Sequence, residues 1–462
     1  MLRFQHIKRP YNLSDVQRTK LPIVRNSPGH QMARDFYGNL RKHQENKTAD
    51  VTFGCLDAVQ AVQMAPHVSS IYVSGWQTSS TTERPGPDLA DYPYTAVPEK
   101  TRLVSSALEM HTEKARLNDG KSLLRPIVAD ADAGHGSLTA TMKLTKLLIE
   151  AGAAGLHLED QRSGSKRCGH LGGKVLVSTK EHCDRLIAAR LQADLLDHDL
   201  VIISRTDAES ASYIDNDIDV RDHPFIVGTT EYEEWEIDGT LPAIINKFRH
   251  DKGLGPLSLL GSLEDMKWAA IRDLPSDFRF TPIRNPDGYY KIKSGVDYAV
   301  QRALAAAPYS DLLWMETSKP CLDQAKVFSE RIRERFPHMM LAYNLSPSFD
   351  WGGAFSGPEK DPKLRDFTFE LAKLGFQWQF ITLAGFHVNG LAMTKFARNY
   401  EKDGVLAYVR DVQNEEKAIA ASTLKHQSWS GVDLSDHYLS LIGSKTAASG
   451  GHGNLENLMN KL

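Results

Sequence analysis

Three acidic residues stand where two neighbouring apolar runs of the sequence end. Asp130 and Asp132 close one run, and Glu159 closes the next. Residues i and i+2 of a strand point the same way, so Asp130 and Asp132 project together. Carboxylates this close repel each other and favour a cation among them, and oxygen ligands suit Mg2+, with Mn2+ as the alternative. Salt bridges to Arg205 or Lys174 alone are the structural alternative. Glu159 can also contact the direct ligands of the cation without binding the cation itself.

A glycine-rich segment, GSKRCGHLGGK, occupies residues 164–174 and is called the lid segment below. Its glycines permit positive φ angles and the hinge motion that an active-site lid requires. Two cations and His170 surround the thiol of Cys168, and such a setting lowers the pKa of a cysteine. We interpret Cys168 as a catalytic acid or base and His170 as its partner or a ligand, with simple packing as the alternative for Cys168. No CxxC spacing occurs, and the other cysteines are interpreted as structural: Cys55, Cys183 and Cys321.

Groups that bind carboxylates follow three other runs. Arg205 ends one run and suits bidentate binding of a carboxylate. The segment Asn344–Ser348 offers amide and hydroxyl donors beside a rigid proline, and a turn with self-capping serines is the alternative there. Backbone N–H groups of Ser74, Gly75 and Trp76 can hold a small oxyanion. Together these residues predict a substrate with several carboxylates, a divalent metal and acid–base chemistry by a cysteine, which fits metal-assisted C–C cleavage of a hydroxy-polycarboxylate.

These residues need a scaffold that brings the ends of many strands together. Short apolar runs alternate with segments of helical periodicity such as 138–152, where Gly152 serves as a stop. Such alternation, repeated eight times, predicts an α/β fold with parallel strands, a (β/α)8 TIM barrel whose active site lies at the C-terminal ends of its strands. A doubly wound open sheet is the alternative, but no glycine-rich nucleotide-binding string follows any run. The runs are 51–56, 70–75, 126–131, 154–159, 201–206, 312–316, 339–344 and 379–384.

The chain has 462 residues, more than a minimal barrel requires. We predict an N-terminal arm at 1–50, a catalytic barrel at 51–400 and C-terminal helices with a tail at 401–462. Residues 228–283 are predicted to form a helical insertion between the fifth and sixth strands. With 55 Lys+Arg against 58 Asp+Glu, the chain has no general cationic field, so we expect no nucleic-acid partner. No stretch approaches the roughly 18 apolar residues of a spanning helix, so we expect no membrane partner.

Eight strings of the sequence, in order, resemble the isocitrate lyase family. SKRCGHLGGKVLV at 165–177 resembles the K-K-C-G-H signature of that family. The other strings are SGWQ, ADADAGHG, HLEDQ, SRTDAE, WMET, YNLSPSF and QFITLAG. The match begins near Arg9 and continues beyond the eighth run, which makes it far more specific than one motif. The resemblance implies a (β/α)8 barrel and a homotetramer whose neighbouring subunits exchange the last barrel helix. The insertion at 228–283 resembles the extra helical region of eukaryotic-type members.

The resemblance also implies roles for individual residues. The catalytic cysteine of the family corresponds to Cys168 and its Mg2+ ligand to Asp130. Asp88, Asp132 and Glu159 match acids that hold the metal directly or through water. The substrate-binding residues correspond to Ser74, Gly75, Trp76, Gly169, His170, Arg205, Asn344, Leu345, Ser346, Pro347, Ser348 and Thr382.

The implied reaction is the Mg2+-dependent retro-aldol cleavage of a tricarboxylate, isocitrate, into glyoxylate and succinate, with Cys168 protonating the succinate carbon. A 2-methylisocitrate lyase is the nearest alternative, because one methyl group is worth only about 1–3 kcal/mol in a pocket. An inactive structural paralogue is the second alternative. Three positions depart from the family: Arg167 replaces the second lysine of the signature, Thr78 replaces a cysteine, and Asp350 replaces an asparagine. Asp350 adds a carboxylate near the predicted carboxylate site, which would weaken substrate binding.

The sequence also carries a feature related to location. Asn460, Lys461 and Leu462 resemble the peroxisomal S-K-L signal with a substituted first residue. We therefore expect a peroxisome or glyoxysome, with the cytoplasm or the mitochondrion as alternatives. A mitochondrial presequence fits poorly, because the first fifty residues contain acids together with Pro10 and Pro22.

Overall fold

A ring of parallel strands forms the centre of the computed structural model, which describes residues 7–82, 85–117, 120–169, 171–230, 239–251, 253, 280–357 and 359–444. The eight strands of the ring are β1 (Asp50–Phe53), β2 (Ile71–Val73), β3 (Ile127–Asp130), β4 (Gly155–Glu159), β5 (Val201–Thr206), β6 (Leu312–Met315), β7 (Met340–Asn344) and β8 (Phe376–Ile381). They pair in the order β1-β8-β7-β6-β5-β4-β3-β2. β1 and β2 meet at a bridge between Gly54 and Tyr72, which brings the two ends of the sheet together. The predicted (β/α)8 barrel is confirmed, and the open-sheet alternative is wrong.

The eighth strand differs from its predicted position. The predicted run covers 379–384, whereas β8 covers Phe376–Ile381. The aromatic residues of FQWQF extend the strand at its start, while residues 382–383 form a turn and a helix begins at Ala384. Thr382 therefore lies just beyond the strand, at the same opening as the other strand ends.

Helices surround the ring and several begin at a serine cap. Ser137 and Ser178 each accept a hydrogen bond from a backbone N–H three residues later, which satisfies a free donor of the first turn. The predicted helix at 138–152 covers Leu138–Glu150 and is followed by Gly152, whose φ of +99° suits a helix stop. The α-helices are Leu13–Thr19, Pro28–Asn46, Ala58–Met64, Gly75–Ser80, Ala96–Arg116, Leu138–Glu150, Thr179–Leu195, Leu241–Asp251, Val296–Ala306, Leu322–Arg335, Trp351–Ala354, Lys360–Lys373, Ala384–Asp403, Val405–Tyr408, Asn414–Ala418, His426–Trp429 and Val432–Leu441.

The barrel interior is a packed apolar core with a polar end. One hydrophobic cluster contains residues of most strands of the ring, among them Tyr72, Val128, Ile203, Trp314 and Phe380. Phe36 and Leu40 of helix Pro28–Asn46 belong to the same cluster, so this helix covers the N-terminal end of the barrel. A polar residue follows each of these five strand residues of the cluster by two positions and therefore lies on the same face of its strand. These polar residues are Ser74, Asp130, Arg205, Glu316 and Thr382. The period of two along the strands thus places polar residues together at the C-terminal opening.

Asp50 begins β1 at the other end of the barrel and is only 2% exposed. Burial raises the pKa of this carboxyl group to about 7, and the neighbouring Ser70 hydroxyl offsets only part of the effect. The folded chain therefore holds the Asp50 proton more tightly than the unfolded chain, where the pKa of aspartate is near 3.9. This difference makes the stability of the fold depend on pH.

Replacing Asp50 by asparagine is expected to make stability less dependent on pH. In the wild type, the contribution of Asp50 to the free energy of unfolding is lost as the pH rises from about 4 through about 7. Asparagine does not ionise, so the loss between about pH 5 and about pH 8 should shrink by roughly 2–3 kcal/mol. Urea unfolding at both pH values measures it, with Asp361→Asn as the control because Asp361 is exposed. Equal losses in Asp50→Asn and the wild type would contradict the prediction.

The region at 228–283 is not purely helical as predicted. Within its described part, strands Val227–Thr230, Gly239–Thr240 and Phe280–Pro282 form an antiparallel sheet, beside helix Leu241–Asp251. The prediction missed these strands, although valine, threonine and phenylalanine favour extended structure. Residues 231–238 and 254–279 of the insertion lie outside the described residues. A second small sheet joins Val175–Leu176, Tyr213–Ile214 and Tyr290–Lys291.

The C-terminal part is helical as far as the structure describes it. Helix Ala384–Asp403 continues through the domain boundary predicted at residue 400, and short helices follow to Leu441. Residues 445–462, including the expected targeting tripeptide, lie outside the described residues. None of the helices in the described ranges is long and apolar enough to span a membrane.

Candidate active site

Asp130 belongs to a set of four carboxylates, called the acidic group below: Asp88, Asp130, Asp132 and Glu159. Its Oδ2 atom accepts hydrogen bonds from the backbone N–H of Gly75 at 3.0 Å and the hydroxyl of Tyr72 at 3.2 Å. Its Oδ1 atom accepts one from the N–H of Asp132 at 2.9 Å, and His157 Nε2 lies 3.4 Å away. Burial raises the pKa of Asp130, and the charge of Asp132 adds to this rise. Both carboxylate oxygens are therefore held in a fixed orientation.

Lys166 joins the lid segment to the acidic group. Its Nζ atom lies 2.5 Å from Asp88 Oδ1 and 2.8 Å from Asp132 Oδ1, with the lysine side chain 1% exposed. Burial alone would lower the pKa of Lys166, but Asp132 and Asp88 outweigh it and hold the pKa well above its ordinary value. Burial raises the pKa of Asp88 to about 6. Asp132 also has Tyr92 and His135 as partners, and despite burial its pKa stays well below the usual range.

The donor set around Lys166 fits a hard divalent cation. Asp88, Asp130, Asp132 and Glu159 supply only carboxylate oxygens, all of them buried, and both oxygens of Glu159 accept no hydrogen bond. In the described part of the chain, no three His, Cys, Asp or Glu side chains converge closely enough to act together as direct ligands. This arrangement suits Mg2+, which usually keeps several waters and takes only one or two carboxylates. The buried ammonium group of Lys166 carries the positive charge that faces these acids.

The guanidinium group of Arg205 already binds carboxylates of the protein. Its Nε and Nη2 atoms donate to the two oxygens of Asp207 at 2.9 and 3.1 Å, and Nη1 lies 3.2 Å from Glu159 Oε2. The guanidinium carbon lies 4.6 Å from the ring centre of Trp314. Asp207 thus occupies the Nε–Nη2 edge of Arg205, so the predicted binding of a substrate carboxylate is left to the outer edge of the guanidinium group. A substrate oxygen can still reach the outer N–H groups of Arg205.

A buried ion-pair network fixes Asp207 from behind. Its backbone N–H donates to Asp160 Oδ1 at 2.9 Å, and the Thr206 hydroxyl donates to Asp160 Oδ2 at 2.6 Å. Arg302 binds Asp160 at 2.7 Å and Asp222 at 2.8 Å, and all three side chains are at most 1% exposed. The end of β5, and with it Arg205, is therefore anchored to the helical layer outside the barrel.

Gly169 seats the lid segment on the strand ends. Lys174 Nζ donates to the carbonyl of Gly169 at 2.7 Å and to Asp207 Oδ1 at 2.9 Å. A Cβ atom at position 169 would lie 2.7 Å from Glu316 Oε1 and 3.0 Å from Arg205 Nη2. Only glycine allows the backbone to approach these side chains so closely.

Cys168 lies between the two anchored residues of the lid segment and is half-buried. His170, the predicted partner of this cysteine, lies outside the described residues. Burial raises the pKa of the Cys55 thiol to about 12 and that of Cys183 to about 11, so both thiols stay protonated at neutral pH. Their setting agrees with the structural role predicted for them.

The NLSPS segment forms a self-capped turn after β7. Ser346 is 1% exposed, and its Oγ atom accepts a hydrogen bond from the N–H of Ser348 at 3.1 Å. Its carbonyl accepts another from Trp351 Nε1 at 2.9 Å. The side chain of Leu345 belongs to the hydrophobic core, Pro347 is half-buried and Ser348 is exposed. The self-capping alternative fits this turn, and the Ser346 hydroxyl can still donate a hydrogen bond to a ligand.

The predicted oxyanion residues after β2 are largely engaged with the protein. Ser74 caps the short helix that begins at Gly75, and the Gly75 N–H donates to Asp130. Trp76 is half-buried, with its ring 5.0 Å from that of Phe386. The Gly75 N–H therefore positions Asp130 and is not free for an oxyanion, while the oxyanion role of Ser74 and Trp76 stays a prediction.

Glu316 and Asn344 form a hydrogen-bonded pair, of which only Asn344 was predicted as a site residue. Asn344 Nδ2 donates to Glu316 Oε1 at 3.1 Å, while the buried Asn344 Oδ1 accepts no hydrogen bond. Glu316 follows Trp314 by two residues and so carried the same strand-end signal as Asp130. Tyr92, in contrast, comes from a loop and gave no signal in the sequence.

The three departures from the family pattern have local partners. Thr78 donates to the carbonyl of Ser74 at 2.8 Å, and Arg167 donates to the carbonyl of Lys166 at 3.1 Å. Asp350 is exposed and caps helix Trp351–Ala354 through the Gly353 N–H. The Asp350 carboxylate is therefore used in a cap, and no ion pair joins it to Arg205 in the described structure.

The barrel fold of this chain matches solved structures of other proteins. A 2,3-dimethylmalate lyase, described as a member of the PEP mutase/isocitrate lyase superfamily, matches with a TM-score of 0.52 over 89% of this chain and 99% of that chain, at 15% sequence identity. A phosphoenolpyruvate phosphomutase from Streptomyces platensis subsp. rosaceus matches with a TM-score of 0.53 over 87% and 98%, at 16% identity. Both structures share the barrel fold of this chain.

The chain belongs to the isocitrate lyase family, whose model matches residues 1–254 and 242–458. The isocitrate lyase of Oryza sativa subsp. japonica is 39% identical over 97% of this chain and 89% of its own length. The isocitrate lyase of Saccharomyces cerevisiae is 39% identical over 97% and 91%. The mitochondrial 2-methylisocitrate lyase of Hypocrea atroviridis is 37% identical over 98% and 91%. The family resemblance inferred from the motifs is confirmed.

Proposed function

We propose that this chain cleaves isocitrate into glyoxylate and succinate by a retro-aldol reaction. The observation that carries the proposal is the seating of the lid segment over the polar strand ends. On either side of Cys168, Lys166 contacts Asp88 and Asp132, and Gly169 lies against the side chains of Glu316 and Arg205. Cys168 is thereby held between these two anchored residues, at the opening where barrel enzymes carry out their chemistry. The 39% identity to isocitrate lyases supports the choice of substrate.

The residues divide the work by their chemistry. The outer N–H groups of Arg205 and the amide of Asn344 bind substrate carboxylates. A base at the opening takes the proton of the substrate hydroxyl, and the oxygen forms the carbonyl bond of glyoxylate as the bond between its carbon and the neighbouring carbon breaks. The electron pair of the broken bond stays on the succinate carbon, which takes a proton from Cys168 and leaves a thiolate. The lid segment, held down by Lys166 and Lys174, excludes water from this carbon.

A divalent cation, Mg2+ or Mn2+, belongs to the proposal. Asp130 and the neighbouring Asp88, Asp132 and Glu159 would hold it, directly or through water. When bound, it would act as a Lewis acid toward oxygen atoms that gain negative charge. Both ions are hard cations that carboxylate oxygens suit.

The purified protein tests this proposal with two substrates. With Mg2+ present, isocitrate should yield glyoxylate, and chelation of the metal should abolish the product. The 2-methylisocitrate alternative predicts pyruvate from the methylated substrate at an equal or higher kcat/KM, which would overturn the assignment. No product from either substrate would establish the inactive alternative.

Replacing Lys166 by methionine is expected to make the fold depend on a divalent cation. Removal of the ammonium group leaves Asp88 and Asp132 buried without it, which should cost about 3–5 kcal/mol of unfolding free energy in chelator. Added Mg2+ should recover much of this loss, since an ion that binds the folded state stabilises it by mass action. Thermal unfolding with chelator and with Mg2+ measures both effects. Lys180→Met is the control, because Lys180 contacts Asp184 on an exposed helix face. An unchanged Tm in chelator would contradict the prediction.

The homotetramer with helix exchange is also part of the proposal. Of helix Ala384–Asp403 only Gly385 is buried, although the helix follows the last barrel strand. Val388, Leu391 and Met393 are 63%, 58% and 59% exposed, which is unusual for apolar side chains grouped on one helix. A neighbouring subunit would cover them. Light scattering should give four times the chain mass of 51.5 kDa, and a monomer would refute the assembly.

A peroxisomal or glyoxysomal location is proposed from the C-terminal tripeptide alone. A fluorescent fusion at the N-terminus should mark peroxisomes, and a fusion that hides Leu462 should not. Equal peroxisomal signal from both fusions would show that the tripeptide is not the targeting signal.

A further inference from the structure

A cavity of about 350 Å³ lies at the end of the barrel opposite to the candidate active site. Its walls come from the last turns of helices Pro28–Asn46, Leu322–Arg335 and Lys360–Lys373, together with the start of β8. The size lies within the range of small-molecule sites. It shares no residue with the predicted active site, so a ligand there would be a separate one.

The lining of this cavity is strongly cationic. Arg41, Lys47, Arg333 and Lys373 line it, with Glu45 as the single carboxylate in the lining, and Lys373 also binds Glu370 outside the lining at 2.6 Å. Three of these cations belong to three different helices, and Lys47 follows the end of helix Pro28–Asn46. Their charges therefore surround a common space. Such an arrangement favours an anion, since it concentrates positive potential inside a concave surface.

Arg333 is the most unusual member of the lining. Its Nε atom is buried without a hydrogen-bond partner, and no carboxylate within the described residues forms an ion pair with it. Burial lowers the pKa of Arg333. The guanidinium lies against Gly375, where a Cβ atom would overlap it. A half-buried guanidinium group without a partner is costly, and an anionic ligand would remove that cost.

Helix ends account for some of the charge but not for Arg333. Cations in the last turn of a helix commonly balance the partial negative charge of its terminal carbonyls. Arg335, in the same last turn, can do so from an exposed position outside the cavity. Arg333 donates to no carbonyl in the described structure, so its place in the cavity has another cause.

Gln377 adds a buried polar group to the same wall. Gln377 lies near the start of β8, lines the cavity and is 1% exposed. Its amide oxygen accepts no hydrogen bond. This amide therefore has hydrogen-bonding capacity that the described residues leave unused. Arg333 and Gln377 together offer several N–H donors to one ligand.

We propose that this cavity binds a phosphate dianion, either inorganic phosphate or the phosphate group of a small monoester. A compact tetrahedral dianion can face cations on several sides at once, whereas a planar carboxylate uses mainly one edge. Charge-assisted hydrogen bonds from Arg333 and the amide donors of Gln377 would hold its oxygens.

Calorimetric titration of the purified full chain with inorganic phosphate tests the proposal, at matched ionic strength in chloride. A second titration uses glycerol 3-phosphate, which distinguishes a phosphate ester from free phosphate as the ligand. Arg333→Met should weaken binding by about tenfold or more, because it removes the charged donor. Arg335→Met removes the same charge from the same helix turn outside the cavity and should bind like the wild type. If Arg333→Met does not fold, Arg41→Met replaces it.

The outcomes separate this site from the active site. Binding of either ligand that is lost in Arg333→Met and kept in Arg335→Met supports the cavity. Absence of binding in the wild type, or equal weakening by both variants, overturns the proposal. Binding that survives Arg333→Met but is lost in Arg205→Met would place the anion in the active site and also overturn it.

Discussion

Replacing Cys168 by serine is expected to reduce kcat for glyoxylate release from isocitrate by about 10³-fold, within the 10²–10⁴ range of general acid–base catalysis. Serine has nearly the size of cysteine but a far weaker acid at its end, so it cannot deliver a proton to the succinate carbon at neutral pH. The anchors on either side, Lys166 and Gly169, do not change, so the lid segment should still close. KM for isocitrate should therefore change little.

Cys321→Ser is the matched control for this measurement. Cys321 is half-buried like Cys168 but occupies the N-cap of helix Leu322–Arg335, where serine is a favourable residue. The control should keep full activity and equal or greater stability. Activity of Cys168→Ser within about twofold of the wild type would remove the thiol from the mechanism and leave the lid segment with a binding role only.

Replacing Asp130 by asparagine is expected to lower kcat/KM by about 10²–10³-fold and to weaken divalent-cation binding at least tenfold. The two Asp130 oxygens accept N–H groups from Gly75 and Asp132 on opposite sides. An asparagine has one such oxygen, so its NH2 group must face one of these donors, and a buried donor is left unsatisfied. The variant thus loses a charge toward the metal and distorts the turn after β2.

Mn2+ titration by electron paramagnetic resonance measures the metal affinity independently of catalysis. Asp91→Asn is the control, because it removes the same charge from an exposed position three residues after Asp88. It should keep both the affinity and the activity of the wild type. Unchanged Mn2+ affinity in Asp130→Asn would refute the metal role of the acidic group, whatever the kinetics.

The barrel could be predicted because its signal is local and repeated. Strand residues alternate between the barrel interior and the helical layer, so the apolar and polar residues of β3, β4 and β5 already showed where each strand ends. The polar residues Asp130, Glu159 and Arg205 were identified in this way. The start of β8 was missed, because its run FQWQF carries glutamines inside a buried strand.

The insertion shows the limit of the same method. Its short strands Val227–Thr230 and Phe280–Pro282 pair with each other across about fifty residues. Such a pairing leaves no periodicity in the stretch between them, and short strands carry too few residues for a clear pattern.

The fold class, the family and the residue types at the opening follow from the sequence alone, since each depends on local pattern or on ordered motifs. How those residues use their hydrogen bonds and charges depends on the folded structure. It places Lys166 between Asp88 and Asp132, and it engages Arg205 with Asp207 before any substrate does. The physical reason is that a hydrogen bond or ion pair depends on distances of a few ångströms between residues far apart in the chain, and spacing along the sequence does not contain those distances.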